Sequence, residues 1–251
     1  MNANILARNA PISQDERRPR LLKIGGIVPF SATDYPDKLA AVIFVQGCPW
    51  RCGYCHNPHL QARQAESLLH WPRVLEMLGR RVGLIDGVVF SGGEPTIDPA
   101  LVDAIADVRN LGFYVGLHTA CIYPKNLAEI LPSLDWVGFD VKAPFDRYER
   151  ITGIKDSGIQ VRACVESIIA SGIDHECRTT LHPALLHEDE VVELAETLAC
   201  IGIRKYALQQ FRWLGCADTS LAADAATYLS DAAVRQVSSL FAKFTLRRVD
   251  Q

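Results

Sequence analysis

The sequence lacks the features that direct a chain to secretion, to a membrane or to nucleic acid. Its first 20 residues are polar and contain no apolar core of a signal peptide. No apolar run approaches the ~18 residues that a membrane-spanning helix needs. The formal net charge is −3, so no basic field attracts nucleic acid or an acidic membrane surface. These absences predict a cytoplasmic protein that binds neither nucleic acid nor a membrane.

Length and composition allow a full hydrophobic core. The 251 residues suffice for one large domain or two small ones, and 49% of them are hydrophobic. Residues 1–20 are rich in Arg and Asn, contain two prolines and are predicted to form a disordered tail. Residues 21–251 are predicted to form a single domain. Eight cysteines without a secretion signal indicate a reducing compartment.

Three of the cysteines lie close together, since Cys48, Cys52 and Cys55 fall within eight residues. They follow the apolar run Leu39–Val45, so a strand opens there into a loop that can turn three sulfurs toward one metal centre. Structural zinc and the common iron–sulfur clusters both take four protein ligands. No fourth cysteine follows until Cys121. Three ligands on a four-iron cluster would leave one iron open for chemistry.

Simpler interpretations of these cysteines stay open at this point. A zinc ion held by the three cysteines and His56 is one of them, although zinc modules usually pair two C-x2-C units. A disulfide would leave one thiol over and suits an oxidising compartment. Buried structural cysteines are common, but three on one loop are hard to explain in that way. The other five cysteines form no C-x2-C or C-x3-C pair, so we predict a single metal centre.

Strands and helices alternate along the chain, as the period of its apolar residues indicates. A hairpin of Leu21–Pro29 and Leu39–Val45 comes first. The next predicted strands are Gly87–Phe90, Tyr114–His118, Trp136–Val141, Glu176–Leu181 and Lys205–Gln210, and the predicted helices are Glu66–Arg81, Pro99–Leu111, Pro124–Leu131, Gly158–Ser171, Glu188–Cys200 and Asp231–Lys243.

Counted from Ala40, this alternation gives six strand–helix units, which implies parallel strands joined by right-handed crossovers. Six units are too few for the eight of a complete barrel, and a doubly wound sheet fits the alternation equally well. The polar clusters, however, all follow the carboxyl ends of predicted strands, where barrel enzymes build their sites. We therefore predict an α/β fold, a partial (β/α)6 barrel with an N-terminal β-hairpin.

The cysteine loop resembles a known signature. The spacing C-x3-C-x2-C, with Tyr54 before the last cysteine, is similar to that of radical S-adenosylmethionine (SAM) enzymes. Its extension to CGYCHNP resembles the glycyl-radical-enzyme activases, and a Gly92-Gly93-Glu94 turn about 40 residues later strengthens the likeness. The resemblance covers about Gly25 to Phe211 and is closest to the activating proteins of anaerobic ribonucleoside-triphosphate reductases.

This resemblance implies an oxidoreductase with a 4Fe–4S cluster and S-adenosyl-L-methionine. Cys48, Cys52 and Cys55 would be the only protein ligands of the cluster, and no catalytic side chain is implied beyond cluster and cofactor. The reduced cluster would split SAM, and the resulting radical would take a hydrogen from a glycine of a partner enzyme. The first partner implied is an anaerobic ribonucleotide reductase, with pyruvate formate-lyase as the alternative. A flavodoxin or ferredoxin would supply the electron, under anaerobic conditions.

The resemblance also assigns side chains to cofactor binding. In the family, the turn at Gly92, Gly93 and Glu94 holds the amino group of the methionine moiety. The alternative is that Glu94 simply begins a helix. Asp140 and Lys142 lie two apart on one face of a strand and would help to organise the cofactor. A structural ion pair is the alternative for these two residues.

Five further positions complete the expected site. Tyr54 is expected against the adenine, and His118 and Thr119 stand where related activases carry an Asp-Thr-Asn-Gly-type turn. Alternation along a strand places Arg178 and His182 on one face, where they would meet the carboxylate and ribose of the cofactor. A polar barrel interior without any role in binding is the alternative.

Two other functions stay open from the sequence. One is a radical enzyme that acts on a small molecule, such as a purine precursor. The other is a non-catalytic iron–sulfur or zinc sensor. An activase must leave its barrel mouth open to a large guest, and the loops after the predicted strands are short. Only Leu214–Ser230 is long enough to cover the mouth.

Overall fold

The computed structural model describes residues 21–67, 69–213, 215–216, 218, 220–221 and 228–248. The predicted tail at 1–20 lies outside these residues, as do parts of the predicted cover at 214–230. No helix within the described ranges is long and apolar enough to cross a membrane.

The chain begins with an antiparallel hairpin. Strand β1 (Ile24–Ser31) pairs with strand β2 (Ala40–Val45), and Ile27 lies opposite Ile43. β-Branched and aromatic residues dominate β2, as is typical of a strand. The predicted hairpin is therefore confirmed.

The other strands continue the sheet in chain order. From β2 onward each strand pairs in parallel with the next, and β1 and β8 are the two ends of the sheet. The strands are β3 (Gly87–Gly92), β4 (Tyr114–Thr119), β5 (Trp136–Asp140), β6 (Asp174–Leu181), β7 (Lys205–Gln210) and β8 (Lys243–Arg247).

Helices connect the parallel strands. They are α1 (Trp71–Gly79), α2 (Leu101–Asn110), α3 (Pro124–Ile130), α4 (Glu149–Thr152), α5 (Ser157–Ser171), α6 (Glu188–Ile201) and α7 (Asp231–Ser239). Each longer helix buries an apolar stripe against the sheet; in α6 the stripe includes Val191, Leu194 and Leu198. The predicted partial α/β barrel is confirmed, with one more parallel strand than predicted.

Most predicted helices differ from the observed bounds by one or two residues, and two differ by more at one end. The helix predicted to begin at Glu66 begins at Trp71, because Ser67 Oγ accepts the Ile24 N–H at 2.8 Å and Leu69 forms a bridge with Ile24. The residues before α1 therefore extend the sheet edge rather than the helix.

The last helix, predicted to reach Lys243, ends at Ser239. The chain then enters β8, whose Phe244 and Leu246 pack on the core. Phe241 lies against Tyr206 of β7, with ring centroids 4.6 Å apart, and so anchors the turn between α7 and β8.

Side chains fill the interior of the curved sheet at one end of the strands, and a cavity lies at the other end. Tyr35 and Trp136 stack at 5.3 Å and pack with Val42 and Val89 in a small second core. The alternate residues of the same strands, such as Phe90, face the helices in the main core. Tyr35 and Trp136 close the interior below the carboxyl ends of the strands, so the open end lies where parallel strands terminate.

Candidate active site

A cavity of about 1000 Å³ opens at the carboxyl ends of the strands. Its volume is at the upper end of the range for small-molecule sites. Eleven of the thirteen residues that the sequence assigned to the site line it: Cys48, Cys52, Tyr54, Cys55, Gly92, Gly93, His118, Thr119, Asp140, Lys142 and Arg178. The other two, Glu94 and His182, are not in its lining.

The cysteine loop is fixed by main-chain hydrogen bonds. Gly47 N donates to Leu60 O at 2.7 Å, and Cys48 N donates to Gln61 O at 3.0 Å. The Arg51 guanidinium crosses the loop and donates to Cys48 O at 2.8 Å. Because these hydrogen bonds are made within the main chain and by Arg51, the loop can keep its shape while all three cysteines line the cavity.

The three thiols are free and half-buried. No three His, Cys, Asp or Glu side chains in the described part of the chain are grouped as ligands of a single metal ion. Burial raises the pKa of Cys48 to about 12 and also raises that of Cys52. A metal that binds here must displace the thiol protons, because thiolates are the ligands.

His56 ties the cysteine loop to the far side of the cavity. Its Nε2 donates to the Arg212 carbonyl at 2.6 Å, and its ring stacks on Phe211 with centroids 5.6 Å apart. Sequence reasoning considered His56 only as a zinc ligand. The structure instead uses one ring nitrogen to join the loop after Cys55 to the end of β7.

The two glycines after β3 allow two strand ends to pack closely. A Cβ on Gly92, where φ is +123°, would lie 2.4 Å from the main chain of Val45. A Cβ on Gly93 would lie 2.4 Å from the Gly47 carbonyl oxygen. Any side chain there would push the cysteine loop away from β3.

Glu94 is fully buried and anchors the turn between β3 and β4. Its carboxylate accepts hydrogen bonds from the main-chain N–H of Thr96 at 3.1 Å and of Ala120 at 2.8 Å. The hydroxyls of Thr96 and Thr119 donate to it at 2.5 and 2.8 Å. The helix-start interpretation describes these contacts, because the side chain caps the short helical turn Pro95–Ile97.

Asp140 and Lys142 form an ion pair at the end of β5, with Nζ 2.9 Å from Oδ2. Although burial alone would raise the pKa of Asp140, the Lys142 ammonium holds it below its usual value. Burial alone would lower the pKa of Lys142, but Asp140 keeps it well above the usual range. Both groups are therefore charged at neutral pH.

Tyr54 lies between the cysteine loop and this ion pair. Lys142 Nζ is 5.5 Å from the centroid of the Tyr54 ring. The ring is buried, and its hydroxyl makes no hydrogen bond to any described residue. A buried hydroxyl without a partner is costly, so a bound polar group that reaches it would relieve that cost.

His118 is held in its neutral form. Its Nε2 donates to the Asp34 carbonyl at 2.8 Å, which leaves Nδ1 to accept from Ser91 Oγ at 3.5 Å. Burial and the Arg178 guanidinium lower the pKa of His118 to about 4. The side chain therefore offers the cavity an uncharged, oriented ring.

Glu176 and Trp136 hold the side chain of Arg178 in place. Its Nε donates to Glu176 Oε1 at 2.8 Å, and its guanidinium lies 5.3 Å from the Trp136 ring centroid. A Cβ on Gly138 would lie 3.0 Å from the guanidinium carbon. The absence of a side chain at position 138 thus makes room for a cation that could bind a carboxylate in the cavity.

His182 lies away from the cavity lining, although sequence alternation places it beside Arg178. Ala184 N donates to its Nδ1 at 3.2 Å, so Nε2 carries the proton that is donated to Leu221 O at 2.9 Å. Both ring nitrogens are thus engaged in holding neighbouring loops. Strand β6 ends at Leu181, and alternation does not extend beyond a strand end.

Sequence reasoning missed several polar residues of the site. Ser91, Arg212, Arg247 and Arg248 line the cavity, and Glu176 lies just behind Arg178. Ser91 and Arg212 were within reach, since each follows or ends a predicted strand. Arg247 and Arg248 were not, because no element was predicted after the last helix, which was expected to end at Lys243.

Comparisons with known proteins agree with this geometry. The sequence pattern of the Radical SAM superfamily matches residues 42–199. The chain therefore belongs to the radical SAM superfamily, a class of enzymes that use a 4Fe–4S cluster and S-adenosylmethionine. Within that superfamily it is an oxidoreductase of the glycyl-radical-enzyme activating family.

Two relatives show that the chain belongs to the glycyl-radical-enzyme activating family. A protein of Methanocaldococcus jannaschii described as a glycyl-radical enzyme activating enzyme is 30% identical over 197 residues, or 75% of this chain and 79% of the relative. The pyruvate formate-lyase-activating enzyme of Clostridium pasteurianum is 31% identical over 202 residues, or 77% and 83%.

A solved structure supports the fold alone. SuiB of Streptococcus suis, bound to S-adenosylmethionine, aligns with a TM-score of 0.59 at 14% identity. The alignment covers 81% of this chain and 48% of SuiB, so this chain spans about half of that protein.

Proposed function

We propose that this chain generates the glycyl radical of an anaerobic ribonucleoside-triphosphate reductase. The observation that carries the proposal is the shared cavity, which is lined by three free cysteines, the charged Asp140–Lys142 pair and Arg178. The cluster and S-adenosylmethionine would supply the radical that removes hydrogen from glycine.

The residues of the chain would hold and orient these groups. Cys48, Cys52 and Cys55 would ligate the cluster, since thiolates are the soft ligands that iron–sulfur clusters take. Arg178 would bind the carboxylate of the cofactor through its guanidinium, and Lys142 would add a second positive charge.

The other cavity residues would hold the rest of the cofactor. Tyr54 would pack on the adenine, with its hydroxyl turned to a polar group of the cofactor. His118 and Thr119 would line the floor beneath it. Gly92, Gly93 and Glu94 would set the floor at the β3 end, where main-chain carbonyls can accept from the cofactor amine.

The choice of reductase rests on sequence likeness around CPWRCGYCHNP, GLHTA and RTTLHP. Pyruvate formate-lyase is the second candidate partner, favoured by the 31% identity to a pyruvate formate-lyase-activating enzyme. A flavodoxin or ferredoxin would deliver the electron, and the reaction would take place in an anaerobic cytoplasm. We expect the described sheet to be the core of one domain that spans residues 21–251.

The test is to mix the reduced, cluster-loaded chain with S-adenosylmethionine and each candidate partner without oxygen. Electron paramagnetic resonance then reports on the partner. A glycyl doublet on the reductase supports the proposal. A doublet on the lyase alone would reassign the partner, and no doublet on either would refute both partner assignments.

A further inference from the structure

The positive charge of the cavity is concentrated on its β7–β8 side. Arg212 follows β7, while Arg247 ends β8 and Arg248 follows it; all three line the cavity. The acidic residues among the described lining are Asp34, from the β1–β2 connection, and Asp140, from β5. This side is therefore basic in a chain whose formal net charge is −3.

One of these arginines is already engaged. Arg247 donates to Gln209 Oε1 at 3.0 Å and to Glu176 at 2.9 Å. Arg212 and Arg248 are exposed, and neither guanidinium forms a hydrogen bond or ion pair with the described residues. Two guanidiniums that have no partner among the described residues are suited to an anionic guest, because each can donate two parallel hydrogen bonds to a carboxylate.

An exposed tryptophan indicates that the guest is a protein. Trp213 directly follows Arg212 and is 59% exposed, the most exposed tryptophan among the described residues. Tryptophan and arginine, with tyrosine, are enriched among the residues that contribute most to protein–protein binding. A pocket for a small molecule would instead enclose its aromatic side chain.

We propose that Arg212, Trp213 and Arg248 form a docking rim that binds an acidic segment of the partner enzyme beside its target glycine. The inference rests on the proposed function and specifies how the partner is recognised. A glutamate or aspartate of the guest would pair with the two guanidiniums, while Trp213 would cover an adjacent apolar side chain. The His56–Arg212 hydrogen bond keeps this rim next to the cysteine loop.

The test compares the double variant R212Q/R248Q with R235Q, which changes an exposed arginine on α7 outside the cavity lining. The affinity of the cluster-loaded chain for the reductase and for the lyase is measured by calorimetry at low and high salt. We expect R212Q/R248Q to bind its partner about tenfold more weakly than wild type does. The affinity of the variant should also depend less on salt, since exposed charge pairs are individually weak and screened by salt. R235Q should behave as wild type, and W213A should weaken binding without changing the salt dependence.

A charge swap identifies the acidic guest. R212E/R248E should lose partner binding, and a partner whose acidic residues near the glycine are changed to lysine should restore it. Two results would overturn the docking rim, provided that the wild-type chain still generates the glycyl radical on its partner. One is that the lysine-bearing partner does not restore binding to R212E/R248E. The other is that R212Q/R248Q binds the partner as tightly as wild type. A wild-type chain that activates neither partner would instead refute the proposed function. The docking rim would also be overturned if R212Q/R248Q lost S-adenosylmethionine cleavage without partner as much as it lost activation of the partner. That result would show that the arginines act on the cofactor.

Discussion

Thr119 donates its hydroxyl hydrogen to Glu94, 2.8 Å from Oε1 and 3.0 Å from Oε2, and so ties the end of β4 to the turn after β3. The same Thr119 oxygen accepts the Cys121 N–H at 2.9 Å. Cys121 has a positive φ of 62°, a conformation that costs energy in a non-glycine residue. The carboxylate therefore organises the floor of the cavity across two strands.

Replacing Glu94 by alanine should first destabilise the fold. The change leaves the Thr96 and Ala120 N–H groups and the Thr119 hydroxyl without their acceptor in a buried site. We expect the free energy of unfolding to fall by about 3 kcal/mol or more. Denaturant unfolding measures this, with the exposed Glu129→Ala as a control that should stay near wild type.

The cofactor affinity of the Glu94→Ala variant separates the two roles of Glu94. If Glu94 acts only by positioning, weaker S-adenosylmethionine binding accompanies lower stability. A variant as stable as wild type that binds the cofactor at least tenfold more weakly, the order expected for one charge-assisted hydrogen bond, would show that Glu94 contacts the amine directly.

Each of the three loop cysteines should be required for the cluster. Replacing Cys48, Cys52 or Cys55 by alanine should remove the 4Fe–4S absorption and paramagnetic signals of the anaerobically reconstituted chain, because no other described cysteine lines the cavity. The sharpest control is Cys216→Ala, since the Cys216 thiol lies 3.2 Å from Gly53 O beside the loop. Loss of the cluster in this folded control would contradict the assignment of ligands.

A methyl group at position 138 should disturb the packing of Arg178 on Trp136. The added Cβ would lie 2.5 Å from the Trp136 ring and 3.0 Å from the guanidinium, so one of them must move. If Arg178 holds the cofactor carboxylate, Gly138→Ala should weaken S-adenosylmethionine binding by about tenfold or more, as Arg178→Gln should. Calorimetry on the cluster-loaded chain measures both.

The matched control is Gly26→Ala in β1, where an added Cβ meets no atom within 4 Å. Wild-type affinity in Arg178→Gln would show that Arg178 does not bind the cofactor. Weaker binding in Gly26→Ala as well would point to a general effect on the sheet.

His118 should make folding stability depend on pH below neutrality. Its pKa in the folded chain is about 4, because of burial and of Arg178, against about 6.5 when unfolded. The unfolded chain therefore binds the proton first, so stability is lost as pH falls from about 6.5 toward 4. His118→Gln should reduce this loss, as urea unfolding across that range would show.

Arg178→Gln should raise the lower limit of this window, because it removes the second cause of the low pKa of His118. The same stability-versus-pH slope in wild type and His118→Gln would contradict the neutral, buried state of the ring.

Much of the fold follows from local sequence patterns. The alternation of apolar strands and amphipathic helices predicts seven of the eight strands and the parallel order. Strand β8 was missed because Lys-Phe-Thr-Leu-Arg is short, begins and ends with a charge, and follows an amphipathic helix without a proline or glycine. Its strand form depends on pairing with β7, which no local pattern reveals.

The site was predictable where chemistry depends on one short motif and not where it depends on register. The cysteine loop and the Asp140–Lys142 pair are of the first kind. The need for glycine at position 92 depends on register, since the close contact of Gly92 with Val45 follows from the pairing of β2 with β3. The orientation of Arg178 likewise needs Glu176 and Gly138, which come together only in the folded sheet.

The most direct test of the central claim follows one hydrogen atom. The reductase is prepared with deuterium on its glycine α-carbons and incubated without oxygen with the reduced chain and S-adenosylmethionine, and the 5′-deoxyadenosine formed is analysed by mass spectrometry. The account predicts deuterium in that product together with a glycyl radical on the reductase, and neither when Cys52 is alanine. Unlabelled 5′-deoxyadenosine, formed at the same rate with or without the reductase, would contradict it.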